Sequence, residues 1–269
     1  MPLDLPPLSE QALVSIVTPS LNQGRFLPAA LASVRAQEGP RIEHIVVDGG
    51  STDQTLDVLR DSEVRWTSEP DSGQSEAINK GIQLAKGEVI GWLNADDFYL
   101  PGALAAAIAT FREQPATGMV YANYVDVAED GTELHRNRSR PFDLAYQLGG
   151  GNVVPQPTVF LRREVLDAVG LLDPNLHYAM DLDLWIRVGR VTEIVQVDEY
   201  WAAFRLHPAS KSVAQRSRFL RERRIISRRY GTKFRLEHVL EHFYAIHPRL
   251  LRPVLGVRAA WRRARSASG

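Results

Sequence analysis

An α/β domain built on a mixed or parallel sheet is the fold class this sequence predicts, and two observations carry the prediction. Apolar segments of strand length alternate with amphipathic segments of helical period over residues 14–94, the pattern of strand–helix–strand crossovers. Several of the apolar segments also run into acidic, glycine-punctuated loops, and open α/β sheets bind ligands outside the carboxyl ends of their strands.

Taken in order, residues 14–19 read as a first strand, stopped by Pro19 and a loop holding Asn22 and Gly24. Phe26, Leu27, Ala30, Leu31 and Val34 recur at helical spacing, which predicts a helix over 25–37. Residues 44–48 form a second strand, after which Ser51 or Thr52 caps a helix bearing Leu56, Val58 and Leu59. A third strand over 64–67 leads to a helix over 75–85, closed by Lys86-Gly87, and residues 88–93 fill with apolar side chains as a buried strand does. Past Pro101-Gly102 the pattern loosens into a helix over 103–111, a strand over 119–127, a hairpin-type turn at Glu129-Asp130-Gly131 and a flexible glycine joint over 149–152. Helices over 163–169 and 180–188, strands over 194–197 and 201–206, and basic helical segments from Gln215 onward complete the reading.

Composition bounds the function. The chain has 269 residues, 44% of them hydrophobic, enough for one large α/β domain and an appendage. No apolar run approaches the roughly 20 residues that cross a bilayer. Residues 1–10 are proline-rich and acidic where a signal peptide is basic and then apolar, so a cytoplasmic protein is expected. Cysteine is absent, which excludes disulfides, thiolate nucleophiles and Cys-ligated zinc and leaves carboxylates, histidine or a metal for any catalysis. The net charge of zero hides an asymmetry: residues 205–269 hold 17 Lys and Arg against 3 Asp and Glu, which leaves 15 basic and 29 acidic residues before them. The body is acidic and the tail basic.

The loops over 48–53, 69–74 and 94–97 each follow a strand, so a parallel sheet brings all three to one edge. Glycines there let backbone approach a ligand, while carboxylates accept hydrogen bonds from a base or ribose, or hold a metal that bridges phosphates. Asn94 and Asp96 stand two positions apart, so an extended chain points both to one side, where they can share one divalent ion. The same residue types also make ordinary capped turns. No nucleic-acid partner is expected, because the acidity of these loops disfavours a polyanion.

Residues 14–22, 48–53, 71–81 and 94–97, with Met180-Asp181-Leu182-Asp183-Leu184-Trp185-Ile186-Arg187, resemble family 2 glycosyltransferases, and the resemblance covers residues 14–207 in the family's order. It implies the GT-A fold, a Rossmann-like mixed sheet flanked by helices, here with a C-terminal helical extension. It divides the chain into a tail (1–12), a GT-A domain (13–208, with a nucleotide-binding half over 13–101 and an acceptor-binding half over 102–208) and a basic helical extension (209–269). The implied reaction is metal-dependent, inverting transfer of a sugar from a UDP-, GDP- or dTDP-linked donor to a hydroxyl of a saccharide or lipid-linked acceptor, in cell-surface polysaccharide or glycolipid synthesis.

By the same resemblance Pro19 walls the nucleotide pocket, Asp48 bonds the base and Asp71 lies near the nucleotide. Asn94 and Asp96 occupy the family's D-x-D positions, with Asp96 the expected ligand of Mg or Mn. Asn94 departs from the usual first Asp; its amide oxygen can still ligate or bond the ribose, without charge. Asp181 is the implied base, with Met180 standing where the family has Glu, and Asp183 is a second acceptor-side carboxylate. Both aspartates would also serve as simple helix caps. Gln156 lies beside the acceptor, and His207 matches a further metal or phosphate contact.

A sugar nucleotidyltransferase would need a glycine-rich basic loop after its first strand, whereas residues 22–25 hold one Gly and one Arg. Asn94 and Met180 make a non-catalytic nucleotide or carbohydrate binder the other alternative. In the tail, Arg221, Arg223, Arg224, Arg228 and Arg229 accompany Phe219, Ile225, Ile226 and Tyr230, and Arg258, Arg262, Arg263 and Arg265 surround Trp261. Such segments either lie on an anionic membrane, making the protein peripheral on the cytoplasmic face, or pack on the acidic body.

Overall fold

The structure is a computed structural model that describes residues 3–208 and 216–238. In chain order the first half holds β1 (Leu13–Ser20), α1 (Leu27–Arg35), β2 (Arg41–Asp48), α2 (Thr55–Arg60), β3 (Arg65–Ser68), α3 (Gln74–Leu84), β4 (Val89–Trp92) and β5 (Phe98–Tyr99). The remainder holds α4 (Ala103–Glu113), β6 (Thr117–Val127), β7 (Glu133–Asn137), α5 (Leu144–Leu148), a 3-10 turn (Gln156–Thr158), β8 (Phe160–Arg162), α6 (Arg163–Val169), α7 (Met180–Val188), β9 (Glu193–Arg205) and α8 (Arg216–Arg229).

All strands join one mixed sheet in the order β3-β2-β1-β4-β8-β6-β9-β5, with β7 paired to β6. The first four run parallel, with Ser20 opposite Asp48 and Asp48 opposite Ser68. Their following loops therefore share one edge, as the alternation of strand and helix predicts. β8 then enters antiparallel between β4 and β6, pairing Gly91 with Phe160 and Val120 with Phe160 on its two sides. Residues 13–101 and 102–208 are thus stitched into a single sheet. Apolar residues of β1, β4 and β6 alternate between two core layers. One holds Val17, Ile90 and Tyr121 under α3, α6 and α7, and the other holds Ile16, Val89 and Val120 under α4.

Local departures from the expected elements have local causes. α2 starts at Thr55 rather than near Ser51, because the Asp53 carboxylate accepts the Thr55 N–H (3.0 Å) while Ser51 is engaged by Asp48. The two strands expected over 194–197 and 201–206 are one, β9: β6 steps its register at Asn123, which faces Tyr200 after Ala122 faces Val197, and Asp198 and Glu199 occupy the bulge. The Asn123 amide donates to Asp198 (2.9 Å) across it. The glycines over 149–151 form a packed turn instead of a flexible joint. Gly150 is in a left-handed conformation (φ 90°), and a Cβ on Gly151 would lie 2.0 Å from the Tyr146 ring.

Candidate active site

The sheet edge after β1, β2 and β3 is a network of short side chains. Asp48, buried at the end of β2, accepts from the N–H groups of Gly50 (3.0 Å) and Ser51 (2.8 Å) and from the Ser68 hydroxyl (2.7 Å), and the Ser51 hydroxyl bonds its other oxygen. Ser51 in turn accepts the Asn22 N–H (2.7 Å), and Asp53 accepts the Gly24 N–H (3.0 Å). The loop after β1 is thereby tied to the loop after β2. Asp71 leans onto this edge so closely that a Cβ on Gly49 would stand 2.6 Å from its Oδ2. Burial pushes the Asp71 carboxyl up from its ordinary pKa, against the Gly73 N–H that it accepts at 2.9 Å.

After β4 the chain turns through Asn94-Ala95-Asp96-Asp97. Asn94 is a cross-brace: its Oδ1 accepts from Trp92 Nε1 (2.8 Å) and Gln74 (2.7 Å), and its Nδ2 donates to Gln156 (2.9 Å). Gln156 completes the brace by donating to the Trp92 carbonyl (2.5 Å). Asp97 is buried and accepts the Arg205 N–H (3.0 Å), while burial first and Asp96 second raise its pKa well above the usual carboxylate range. Asp96 remains accessible, with its side chain 20% exposed and its Oδ2 3.0 Å from Nε2 of His207, itself buried against the Phe26 ring. Arg205 donates to the Asp96 carbonyl (2.8 Å) and so pins this turn to the end of β9.

A cavity of about 570 Å³ opens beside these loops. Pro19, Asp71, Asn94, Asp96, Gln156, Asp181 and Arg223 all belong to its lining. Asp181 sits in the first turn of α7, where free N–H groups and the helix dipole favour a carboxylate. Burial raises its pKa; the Arg223 charge, the Leu182 N–H and the Asn152 amide (2.9 Å) pull it back.

α8 contributes Arg223 to this lining and braces the segment that carries Asp181. Glu222 accepts the N–H groups of His177 (2.9 Å), Tyr178 (2.7 Å) and Ala179 (2.8 Å), closing the segment that leads into α7. Ile226 joins the core layer of Leu182 and Trp185. Arg229 bonds Asp173 (2.7 Å) and Asp183 (3.0 Å). The described part of the basic extension thus packs on the body. The basic residues around Trp261 lie outside the described residues.

Of the residues singled out from sequence, the fold gathers Pro19, Asp71, Asn94, Asp96, Gln156 and Asp181 around one cavity. Asp48, Asp183 and His207 are absent from its lining. Asp48 is enclosed in its own loop, Asp183 bonds Arg187 (3.0 Å), Arg229 and Tyr230 (2.9 Å), and His207 stands behind Asp96. Sequence reasoning missed Asn152, Glu222 and Arg223 as site residues. For Arg223 a signal existed: Phe219, Arg223, Ile226 and Tyr230 recur at one-face helical spacing, which sets this arginine among apolar neighbours rather than solvated ones.

Among the described residues no three His, Asp or Glu side chains form a ready-made cation cage. Asp96 with His207 nevertheless fits a Mg or Mn that draws its other ligands from substrate phosphates and water, since such ions are commonly held by one or two protein groups. Asn94 is less suited to ligate, because its Oδ1 already accepts two hydrogen bonds.

Comparison with known proteins accords with this geometry. The model of glycosyl transferase family 2 matches residues 15–170. An uncharacterized glycosyltransferase of Mycobacterium tuberculosis is 34% identical over 190 residues, covering 68% of this chain and 71% of that protein. The crystal structure of S. aureus TarS 1-349 in complex with UDP-GlcNAc is similar with a TM-score of 0.60 at 18% identity, over 79% of this chain and 66% of that one. The mannosyltransferase PcManGT from Pyrobaculum calidifontis, in complex with GDP-Man and Mn2+, is similar with a TM-score of 0.64 at 19% identity, over 100% of this chain and 79% of that one. Such likeness at low identity concerns the fold, a curled mixed sheet flanked by helices of the GT-A type.

Proposed function

Because the chain belongs to glycosyl transferase family 2, we propose that it moves a sugar from a nucleotide-sugar donor to a hydroxyl acceptor with inversion at the anomeric carbon. The observation that carries this reading is one cavity whose lining includes Asp71, Asn94 and Asp96 together with Asp181. A one-step displacement needs one base near the attacking hydroxyl and a separate place for the departing diphosphate, and the cavity offers both.

The donor lies along Pro19, Asp71 and the Asn94–Asp96 turn. Asp48 acts by shaping the loop that meets the nucleotide, since its own oxygens are already bonded within that loop. Asp96 and His207 would hold Mg or Mn, which would supply positive charge for the leaving nucleoside diphosphate. Asp181 takes the proton of the acceptor hydroxyl, and its accepted hydrogen bond from Asn152 fixes the direction in which the carboxylate faces. Gln156 borders the acceptor and, through Asn94, holds the donor turn. The acceptor is a saccharide or lipid-linked saccharide of the cell surface.

Thermal-shift screening of UDP-, GDP- and dTDP-sugars with Mn2+ tests the donor half. One nucleotide class should raise Tm in a cation-dependent manner, and Asp96→Ala should lose the cation dependence. No stabilisation by any of them would refute the reading.

The outward face of α8 exposes Arg221, Arg224, Ile225 and Arg228, which supports peripheral association with an anionic membrane on the cytoplasmic side. Among the described residues no helix is long and apolar enough to cross a membrane. Co-sedimentation should be greater with phosphatidylglycerol vesicles than with phosphatidylcholine vesicles, and equal recovery from both would rule this out.

A further inference from the structure

Both signs of charge line the cavity. Its lining carries the carboxylates Asp71, Asp96 and Asp181 together with the guanidiniums Arg138, Arg140 and Arg223, and of these arginines Arg223 lies within the field of Asp181. Arg140 is braced by Tyr146, whose hydroxyl accepts from its Nη2 (3.1 Å) and whose ring it covers at 4.9 Å. Arg138 is 74% exposed and only loosely paired with Asp198, at 3.6 Å.

Arg223 is the unusual member. It is 2% exposed, its Nη1 donates to the Gly150 carbonyl (2.9 Å), and its Nε is buried with no hydrogen-bond partner. Among the described residues no carboxylate stands at ion-pair distance from it, and Asp181 acts on it only through its field. A guanidinium with five N–H donors, taken out of water and given one neutral acceptor, is costly to the fold. Core packing does not require the charge, because Phe219 and Ile226 on the same helix face show what an apolar solution looks like. An anion arriving in the cavity would supply the missing acceptors, and a planar guanidinium suits the paired oxygens of phosphate or carboxylate.

Resting on the reading of Asp181 as the acceptor-side base, we propose that Arg223 is the centre of an anion subsite that binds a phosphate or carboxylate carried by the acceptor, with Arg138 of the same cavity lining adding to its positive field. Acceptors of this enzyme are therefore anionic saccharides or saccharide phosphates, held by their charge while a neighbouring hydroxyl faces Asp181. The donor's own diphosphate is the competing source of the same chemistry, and the test separates the two.

Isothermal titration of the full chain with glycerol 3-phosphate and with glycerol, each with Mg2+ and a saturating nucleoside diphosphate, reads the subsite directly. Glycerol 3-phosphate should bind at least about tenfold more tightly than glycerol, the scale of one charge-assisted hydrogen bond. Arg223→Gln should remove about that factor and Arg223→Lys part of it, while Arg138→Gln, an exposed change that leaves the core untouched, should weaken binding about threefold. Displacement of glycerol 3-phosphate by the nucleotide would assign the arginines to the donor and overturn the proposal. So would phosphate affinity unchanged in Arg138→Gln and Arg223→Lys, or no saturable binding in the wild type. If no nucleoside diphosphate binds, the transferase reading itself fails, and titrations without nucleotide still report whether phosphate depends on these arginines.

Discussion

Burial and a neighbouring cation act on the Asp181 carboxyl in opposite directions, burial raising its pKa more than Arg223 lowers it. A base works when ionised, so activity is present above that pKa and is lost as pH falls through it. The acidic limb of kcat should therefore lie above the ordinary aspartate range near 4, and Arg223→Gln should move it to still higher pH. A limb that stays in place in Arg223→Gln would deny the coupling. Asp181→Asn should lower kcat by about 100-fold or more with nucleotide affinity retained, read by single-turnover transfer and by titration. Asn94 leads to a less obvious expectation. Restoring the family's Asp there removes the amide that donates to Gln156 and Asp97 and adds a charge beside a carboxyl already raised by burial and by Asp96. Asn94→Asp should thus lower stability by about 1–3 kcal/mol in denaturant titration, and unchanged stability would show that the brace carries no load.

At the scale of elements, α8 decides whether the base is in place. Glu222 holds three consecutive N–H groups ahead of α7, so Glu222→Ala leaves three donors without a carboxylate and loosens the segment from which Asp181 projects. We expect a loss of about 2–3 kcal/mol, together with a fall in kcat larger than any change in donor KM. Ile226→Ala, on the same helix, should cost a similar 2–5 kcal/mol through its cavity and serves as the packing control. The parallel strands and their crossovers were legible in sequence because each apolar run is short and the first three are each followed, after a loop holding Gly or Pro, by a helix. β5, two residues long, offers no periodicity to read, and the single β9 was hidden because Asp198 and Glu199 interrupt its apolar pattern while the bulge keeps its pairing. The fate of α8 was only half visible: a run of arginines signals solvent or membrane, and only the spacing of Phe219, Ile226 and Tyr230 marks the face that packs.

Over the whole molecule, legibility followed chain separation. Asp71, Asn94, Asp96 and Asp181 could be picked out because local motifs carry them, whereas Asn152, Glu222 and Arg223 acquire roles only through partners far along the chain. Stability toward acid is another property of the whole. His44 on β2, with Thr18 Oγ1 2.9 Å from its Nε2, is pulled by burial to about 4 from 6.5. The unfolded chain therefore binds this proton more readily, and the stability it contributes is full above pH 6.5 and lost as pH falls toward 4. Asp126, raised by burial to about 6, acts the other way in an overlapping window. His44→Gln isolates the first effect: its Tm should fall less than the wild type's between pH 7 and 4.5, by about 5 °C. Parallel curves would show that His44 does not titrate with unfolding.

The pairing of Asp96 with His207, 111 residues downstream, also orders events during synthesis. The donor loops are written into the chain long before β9 can clamp them, and α7 emerges before the Glu222 carboxylate that closes its entry. The Asp48 network, whose partners all lie within residues 22–68, needs nothing further downstream, whereas the Asp96 turn waits for Arg205 and His207 and the Asp181 segment for α8. Deleting α8 should leave the donor loops formed and the base adrift.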